Sequence, residues 1–417
     1  MNDDVANALP LTMGTTKMFA TNDPDDRVLF AQESSAISSS SHLSKNSNNG
    51  IIWKTGSGQF LPATPSFLQK IVQNEILGST TTQSSLSSSS GIVCISERHD
   101  DFEHHKVQLK VLMTMKKALF MEEERLLHSQ QNNVVSSEKS KRLSIGMEMF
   151  QRQHQKYLDR YINTADDNDN TNNDKYTLAD LQRDTDWDST WGYDIFHYIP
   201  ILTFAKKFGI RIVGLHPSDD LVEMVKREGL TKSLSSIIDG MPICMDDRRH
   251  KEDFKRLAMQ RLSLSDDFGG CQEALDAAIS RQYEVQCFRE EYMAQTAANH
   301  QMMAARNNKN DGGRWIVILA GEGHVRGRNG LPFRALRRFS SATSSNTSTT
   351  TTSSSTPPPS RGVFTIIPKT ISFPMATKYA PGIDFADYVW YVQRDPSDTK
   401  FRERKINLAP RPSRWTE

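Results

Sequence analysis

Gly91-Ile92-Val93-Cys94-Ile95-Ser96-Glu97-Arg98-His99 is the stretch that decides how this chain is read. Its apolar run is continuous and does not alternate with polar residues, the mark of a strand buried on both faces, as in a parallel sheet. It then ends on a carboxylate and an imidazole, groups a sheet core does not accept without partners. Moving outward, the pattern repeats. Arg142–Met147 is a second strand and runs into Glu148, Ile210–Leu215 a third, Trp315–Ala320 a fourth that runs into Gly321-Glu322-Gly323-His324, and Gly362–Ile367 a fifth. Helical spacing fills the gaps: after Pro65 through Phe67, Leu68, Ile71, Val72 and Ile76, then His104–Leu127, Gln151–Tyr161 and Ile199–Phe208, which Gly209 stops. Strands alternating with amphipathic helices predict an α/β fold, a mainly parallel central sheet with helices on both faces. Residues 247–307 lack strand runs and read as a helical insertion.

The 417 residues do not all contribute to a core. Residues 1–50 are polar and aperiodic and read as a disordered N-terminal segment; residues 51–391 form the α/β domain; residues 392–417 are a polar C-terminal tail. Low-complexity stretches at 79–90, 164–175 and 340–360 read as inserts that loop out of that domain. The 51 basic and 50 acidic residues leave a net charge of +1, so no broad field draws nucleic acid or an anionic membrane. No transmembrane segment is expected, because no run of 18 apolar residues occurs. Met1–Leu11 has acidic residues and neither a basic n-region nor an apolar h-region, so it is not read as a targeting peptide; the expectation is a soluble protein of undetermined compartment. The four cysteines, Cys94, Cys244, Cys271 and Cys287, form no CxxC pair and show no zinc spacing.

In parallel sheets ligands bind beyond the carboxyl ends of the strands. Three strands end there in Glu97 and His99, in Glu148, and in His324. Neighbouring strands lie about 5 Å apart, so these groups can converge. Two carboxylates and two imidazoles can hold a divalent metal ion or move protons. Taken singly each is an ordinary solvated loop residue; together, at three strand ends, they predict a site. In a hydrolase Glu97 and Glu148 would be the catalytic carboxylates. Gly321 and Gly323 permit a tight turn and a close approach of the backbone to a ligand. His104 and His105 open a helix beside this point, and one of them is expected to face the same pocket. Glu322, flanked by glycines, is the weakest member.

A second constellation, Trp187 to Pro200, holds Trp187, Trp191, Tyr193, Phe196, His197 and Tyr198. Flat aromatic faces with polar tips suit a planar ligand, and Tyr phenolate or His can ligate haem iron. The plainer reading, a hydrophobic cluster capping the sheet, stands beside it.

The order of these motifs resembles the ChaN-like haem-binding family of the Tiki superfamily. Ser96-Glu97-Arg98-His99 with His104-His105 and Gln108 matches its Gly-Glu-x-His pattern, with Ser96 in place of Gly. Gly146-Met147-Glu148-Met149-Phe150 matches Gly-x-Glu-Met-Phe, and Tyr198-Ile199-Pro200 its Tyr-x-Pro. Arg289-Glu290-Glu291-Tyr292-Met293-Ala294 matches Arg-Asp-x-x-Met-Ala, with Glu290 in place of Asp. Ala320-Gly321-Glu322-Gly323-His324 followed by Gly330-Leu331-Pro332 matches the last motif. The resemblance implies haem or a related tetrapyrrole as ligand, with Tyr193, His197 and Tyr198 as haem-binding residues, Tyr198 favoured, and a homodimeric contact. It also implies the alternative of a metal-dependent hydrolase or peptidase with Glu97, His99, Glu148 and His324 as metal ligands, so whether the protein is an enzyme stays open. Bacterial members are lipoproteins linked to iron uptake. The low-complexity inserts here point to a eukaryotic homologue, and plant-type homologues tend to be plastid proteins.

Overall fold

The computed structural model describes residues 50–77, 91–129, 142–164, 176–230, 243–262, 272–306, 315–344, 362–370, 381–382 and 384–393. The chain divides into two units, residues 1–46 and 47–417, and every described residue belongs to the second. The expectations for 1–49, 79–90, 165–175, 345–360 and 394–417 therefore lie outside the described residues.

Among the described residues eight strands form one sheet: β1 (Ile51–Lys54), β2 (Gln59–Pro62), β3 (Gly91–Glu97), β4 (Leu143–Gln151), β5 (Arg211–His216), β6 (Trp315–Gly321), β7 (Val363–Thr370) and β8 (Tyr388–Val392). Their order is β2-β1-β8-β7-β3-β6-β4-β5. All pairs from β8 to β5 are parallel, whereas β1 and β2 close one edge as an antiparallel hairpin. The mainly parallel α/β fold expected from the five apolar runs is present. Strands β1, β2 and β8, which together make one side of the sheet, had not been read as strands, because each is only four or five residues long.

The helices are α1 (Pro65–Lys70, continued by a π-helical stretch Ile71–Ile76), α2 (Phe102–Ser129), α3 (Gln155–Asn163), α4 (Leu178–Asp184), α5 (Trp187–Thr190), α6 (Ile199–Phe208), α7 (Asp219–Glu228), α8 (Arg248–Leu262), α9 (Gln272–Arg306), α10 (Glu322–Val325) and α11 (Leu331–Ser344). Successive residues of a strand face opposite sides, so the sheet carries two cores. Val93, Ile95, Ile145, Met147, Val317 and Leu319 pack against Val111, Leu112 and Met115 of α2 and Ile201, Leu202 and Ala205 of α6. Ile92, Cys94, Ile316, Ile318 and Ala320 pack against Met293, Ala294 and Ala297 of α9 and Leu331 and Ala335 of α11. The helical stretch expected at 247–307 is α8 and α9, and α9 is a full layer of the fold covering one face of the sheet. Helix α11 continues to Ser344 and so takes up the first five residues of the stretch expected to loop out at 340–360.

Topology places the site. β6 lies between β3 and β4, with Glu97 in register with Gly321 and Met147 with Leu319. Strand β4 runs three residues past Glu148, to Gln151, and its pairing with β5 is irregular between Met147 and Gln151. Glu148 thus sits on the irregular stretch and not beyond the strand end.

Candidate functional site

At the carboxyl end of β3 the Glu97 carboxylate is fully enclosed and has four partners. Its Oε1 accepts from His99 Nδ1 at 2.8 Å and from the Tyr198 hydroxyl at 2.6 Å; its Oε2 accepts from Gln108 Nε2 at 2.8 Å and lies 3.5 Å from His105 Nδ1. Burial would raise its pKa, but His105, His99 and Tyr198 outweigh burial and hold it below the usual carboxylate range. His99 is raised in turn: burial works against its charge, and the Glu97 carboxylate more than restores it. Because Nδ1 is committed to Glu97, the other edge of the His99 ring faces β6. A Cβ added at Gly321 would lie 3.0 Å from His99 Cε1 and Nε2 and 3.6 Å from Glu148 Oε2, so the missing side chain is what lets ring, carboxylate and backbone meet.

Glu148 extends this polar tier. It accepts from the Gly321 amide through Oε2 at 2.6 Å and lies 3.2 Å from His324 Nε2 through Oε1. Burial opposes ionisation of both, yet each holds the other charged: Glu148 falls well below its ordinary value and His324 rises to about 9. Helix α10 turns His324 back under the sheet end, where Nδ1 faces Glu290 Oε1 at 3.3 Å. The four residues expected at three strand ends are therefore brought to one place. In this arrangement Glu97 pairs with His99 and Glu148 with His324. Among the described residues no group of three or more His, Cys, Asp or Glu side chains could hold a metal ion.

Of the histidine pair opening α2, His105 joins the site and His104 does not. His104 accepts the Arg98 amide through Nδ1 at 2.9 Å, and burial lowers its pKa to about 4, so it fixes the turn after β3 as a neutral ring. At Gly321 the groups that come close to the backbone are the His99 and Glu148 side chains; a Cβ at Gly323 would meet nothing within 4 Å. Glu322 is drawn away into an ion pair with Lys369.

The aromatic stretch splits into a wall and a surface. Trp187 and Tyr198 are fully buried, 5.3 Å apart, and belong to the core under β4 and α6. Tyr198 donates to Glu97 and accepts from Trp191 Nε1 at 3.3 Å; burial raises its pKa well above 10. His197 is buried against Phe102 and His105, and burial lowers it to about 4. Tyr193 is different: it is 37% exposed, its ring lies 4.8 Å from His99 and 5.7 Å from Trp191, and Trp191 meets His99 edge-on at 4.7 Å. Tyr198, expected to rank above Tyr193 as a ligand residue, is the more deeply buried of the two, and His197 is buried as well. The hydroxyl of Tyr198 positions Glu97, a role its sequence context did not reveal.

Several residues of the tier were not singled out from sequence. Glu290 had appeared only as a motif position, and Gln286, Arg334 and His250 not at all. Gln286, Glu290, Met293 and Ala297 recur at spacings of four and three along α9, which is the one signal that could have placed Glu290 on the face turned to the sheet.

The family model described as "Haem-binding uptake, Tiki superfamily, ChaN" matches residues 86–334. Among solved structures the chain is similar to ChaN of Campylobacter jejuni with cofacially bound haem, at 14% identity and a TM-score of 0.45, over 82% of this chain and 95% of that one. It is also similar to an erythromycin esterase mutant in its open conformation, at 14% identity and a TM-score of 0.27, over 67% of this chain and 70% of that one. A succinoglycan biosynthesis protein matches at 11% identity and a TM-score of 0.33, over 80% of this chain and 98% of that one. No curated protein matches the chain.

Proposed function

Since the chain belongs to the haem-binding uptake family ChaN of the Tiki superfamily, we propose that it binds haem on the surface made by His99, Trp191 and Tyr193 and serves in haem or iron handling. One observation carries this reading: Tyr193 is the tyrosine of the aromatic stretch whose ring is open to solvent, and it stands against an imidazole and an indole. Ferric iron is a hard ion that accepts phenolate oxygen, and aromatic faces shield a porphyrin. In this reading Tyr193 supplies the iron ligand, Trp191 the flat apolar face, and His99, oriented by Glu97, a second imidazole at the same surface. Bound iron would supply the Lewis acidity that makes the phenolate the favoured form of Tyr193. Titration of the purified protein with haemin is expected to give a Soret band that shifts and saturates at a fixed stoichiometry. A band that grows without saturation, as for free haemin, defeats the proposal.

A second reading is favoured by the Glu148–His324 pair. A buried carboxylate held ionised beside a protonated imidazole is a base and an acid in contact, the arrangement general acid–base hydrolysis needs. Here Glu148 would activate water and His324 would protonate the leaving group, with Glu97 orienting His99. Hydrolysis of a simple probe ester such as p-nitrophenyl acetate, lost in Glu148→Gln, tests it; turnover equal to buffer removes it.

A further inference from the structure

A fourth strand also ends on a polar side chain. The apolar run of β5 leads into His216, as the runs of β3, β4 and β6 lead into Glu97, Glu148 and His324. β5 lies beside β4, with Gly214 in register with Met147 and His216 with Gln151, so His216 stands next to the irregular stretch that carries Glu148. Its backbone is held from both sides. A Cβ at Gly214 would lie 2.6 Å from the Gln151 carbonyl, so the two strands close up just before His216. Gln155 of α3 accepts from the Gly214 amide at 3.1 Å and donates to the Ile212 carbonyl at 2.8 Å.

The His216 ring is buried, and one of its nitrogens is committed: Nδ1 lies 2.7 Å from the Pro217 carbonyl. A carbonyl oxygen only accepts, so Nδ1 carries the ring proton, and Nε2 of the neutral ring keeps a bare lone pair. Among the described residues no group hydrogen-bonds Nε2, nor is that atom sealed off from the surface. Burial lowers the pKa of the ring to about 3, and the Arg289 charge acts in the same direction. Of the charges that act on the ring, Arg289 outweighs Glu148 and His324, which disfavours an ammonium group as the donor to Nε2. A carboxylate has no proton to give. We propose that His216 is a substrate-contacting, specificity-determining residue of this site, whose Nε2 accepts a hydrogen bond from a neutral O–H or N–H group of the ligand. The proposal deepens the acid–base reading of the Glu148–His324 pair, for which it names the substrate class: an ester or amide that carries such a donor beside the bond to be cleaved. It rests on that reading for the reaction, whereas the open nitrogen stands on its own contact with Pro217. A site that accepts from a substrate hydroxyl discriminates against the analogue without one, because the buried acceptor is then left unmet.

Two probe esters that differ by one hydroxyl, 4-nitrophenyl lactate and 4-nitrophenyl propionate, test it on the full chain. The wild type is expected to favour the lactate ester in kcat/KM by roughly tenfold or more, beyond the ratio of the two rates in buffer. In His216→Phe, which keeps a ring and removes the acceptor, that preference is expected to fall to the buffer ratio. His216→Gln, which returns an acceptor oxygen, is expected to recover part of it, a rescue that a purely space-filling role would not give. Turnover of both esters without a preference, or a preference that survives His216→Phe, overturns the proposal and leaves the acid–base reading standing. Nitrogen NMR of ring-labelled histidine in the wild type at neutral pH serves even where the variants do not fold. The His216 ring is expected to show a protonated Nδ1 and a bare Nε2, and the Nε2 signal to move with methyl lactate and not with methyl propionate. A protonated Nε2, or an Nε2 signal indifferent to methyl lactate, overturns the proposal as well. No turnover of either ester, with the Nε2 signal responding to methyl lactate, sinks the acid–base reading and leaves His216 as a binding residue.

Discussion

Tyr193 and Tyr198 lie five positions apart and do opposite work. The ring of Tyr198 is fully buried and its hydroxyl is given to an ionised carboxylate, so it is part of the scaffold; the ring of Tyr193 lies against His99 and remains open. Replacing Tyr198 by Phe removes a hydrogen bond to a charged group and is expected to cost about 1.5–3 kcal/mol of stability, measured by urea denaturation. Tyr193→Phe removes no partner of Glu97, and its urea midpoint is expected to stay within about 0.5 kcal/mol of wild type. The sequence could show both tyrosines but not this division. The Tyr-x-Pro context of Tyr198 reflects helix entry, since Tyr198 caps α6 and Pro200 sits in its first turn. Which ring is buried depends on contact with Glu97, a hundred residues away in the chain. Glu97, His99, Glu148 and His324 were legible because each follows an apolar run that a two-sided sheet must bury.

At the scale of elements, α9 and α11 are joined by charge. Glu291 is fully enclosed and accepts from Arg334 at 2.8 Å and from Arg337 and Arg338 at 2.7 Å each. Removing one partner of a buried ion pair is costly, so Glu291→Gln, which weakens three contacts to guanidiniums at once, is expected to destabilise the protein by about 3–5 kcal/mol, seen as a lowered urea midpoint. A variant within about 0.5 kcal/mol of wild type would show that these guanidiniums find other compensation. This pairing explains why α9 could be placed in the sequence as helical but not as a layer of the fold. Its inward face mixes Met293, Ala294 and Ala297 with Glu290 and Glu291, so the apolar stripe that marks a core helix is interrupted by charge. At the end of β6, Gly321→Ala would press a methyl group against the His99 ring at 3.0 Å. The ring must shift, and haemin affinity is expected to fall several-fold with little loss of helical signal, read by absorption titration and circular dichroism.

For the whole molecule, the Glu148–His324 pair ties stability to pH. His324 rises from 6.5 to about 9 on folding, so its contribution is complete below pH 6.5 and is lost as pH climbs through 9. Glu148 is lowered from 4.5, so its contribution is complete above pH 4.5 and is lost as pH falls through its lower folded value. The pair is therefore expected to stabilise most between pH 4.5 and 6.5, and Glu148→Gln to flatten the loss of stability between pH 7 and 9, measured by urea midpoints across that range. The central strands were legible because parallel strands covered on both faces are continuous apolar runs, as in Trp315–Gly321. The sheet order was not, because β1 pairs with β8 across more than 300 residues and no local pattern encodes that partnership. Haem binding at one surface of this fold is the central claim, and it is tested most directly by titrating haemin into wild type, Tyr193→Phe and Tyr198→Phe side by side. The expected result is a saturating Soret band in all three, displaced in Tyr193→Phe and unmoved in Tyr198→Phe; a band displaced by Tyr198→Phe and indifferent to Tyr193→Phe, or no saturating band in the wild type, would contradict it.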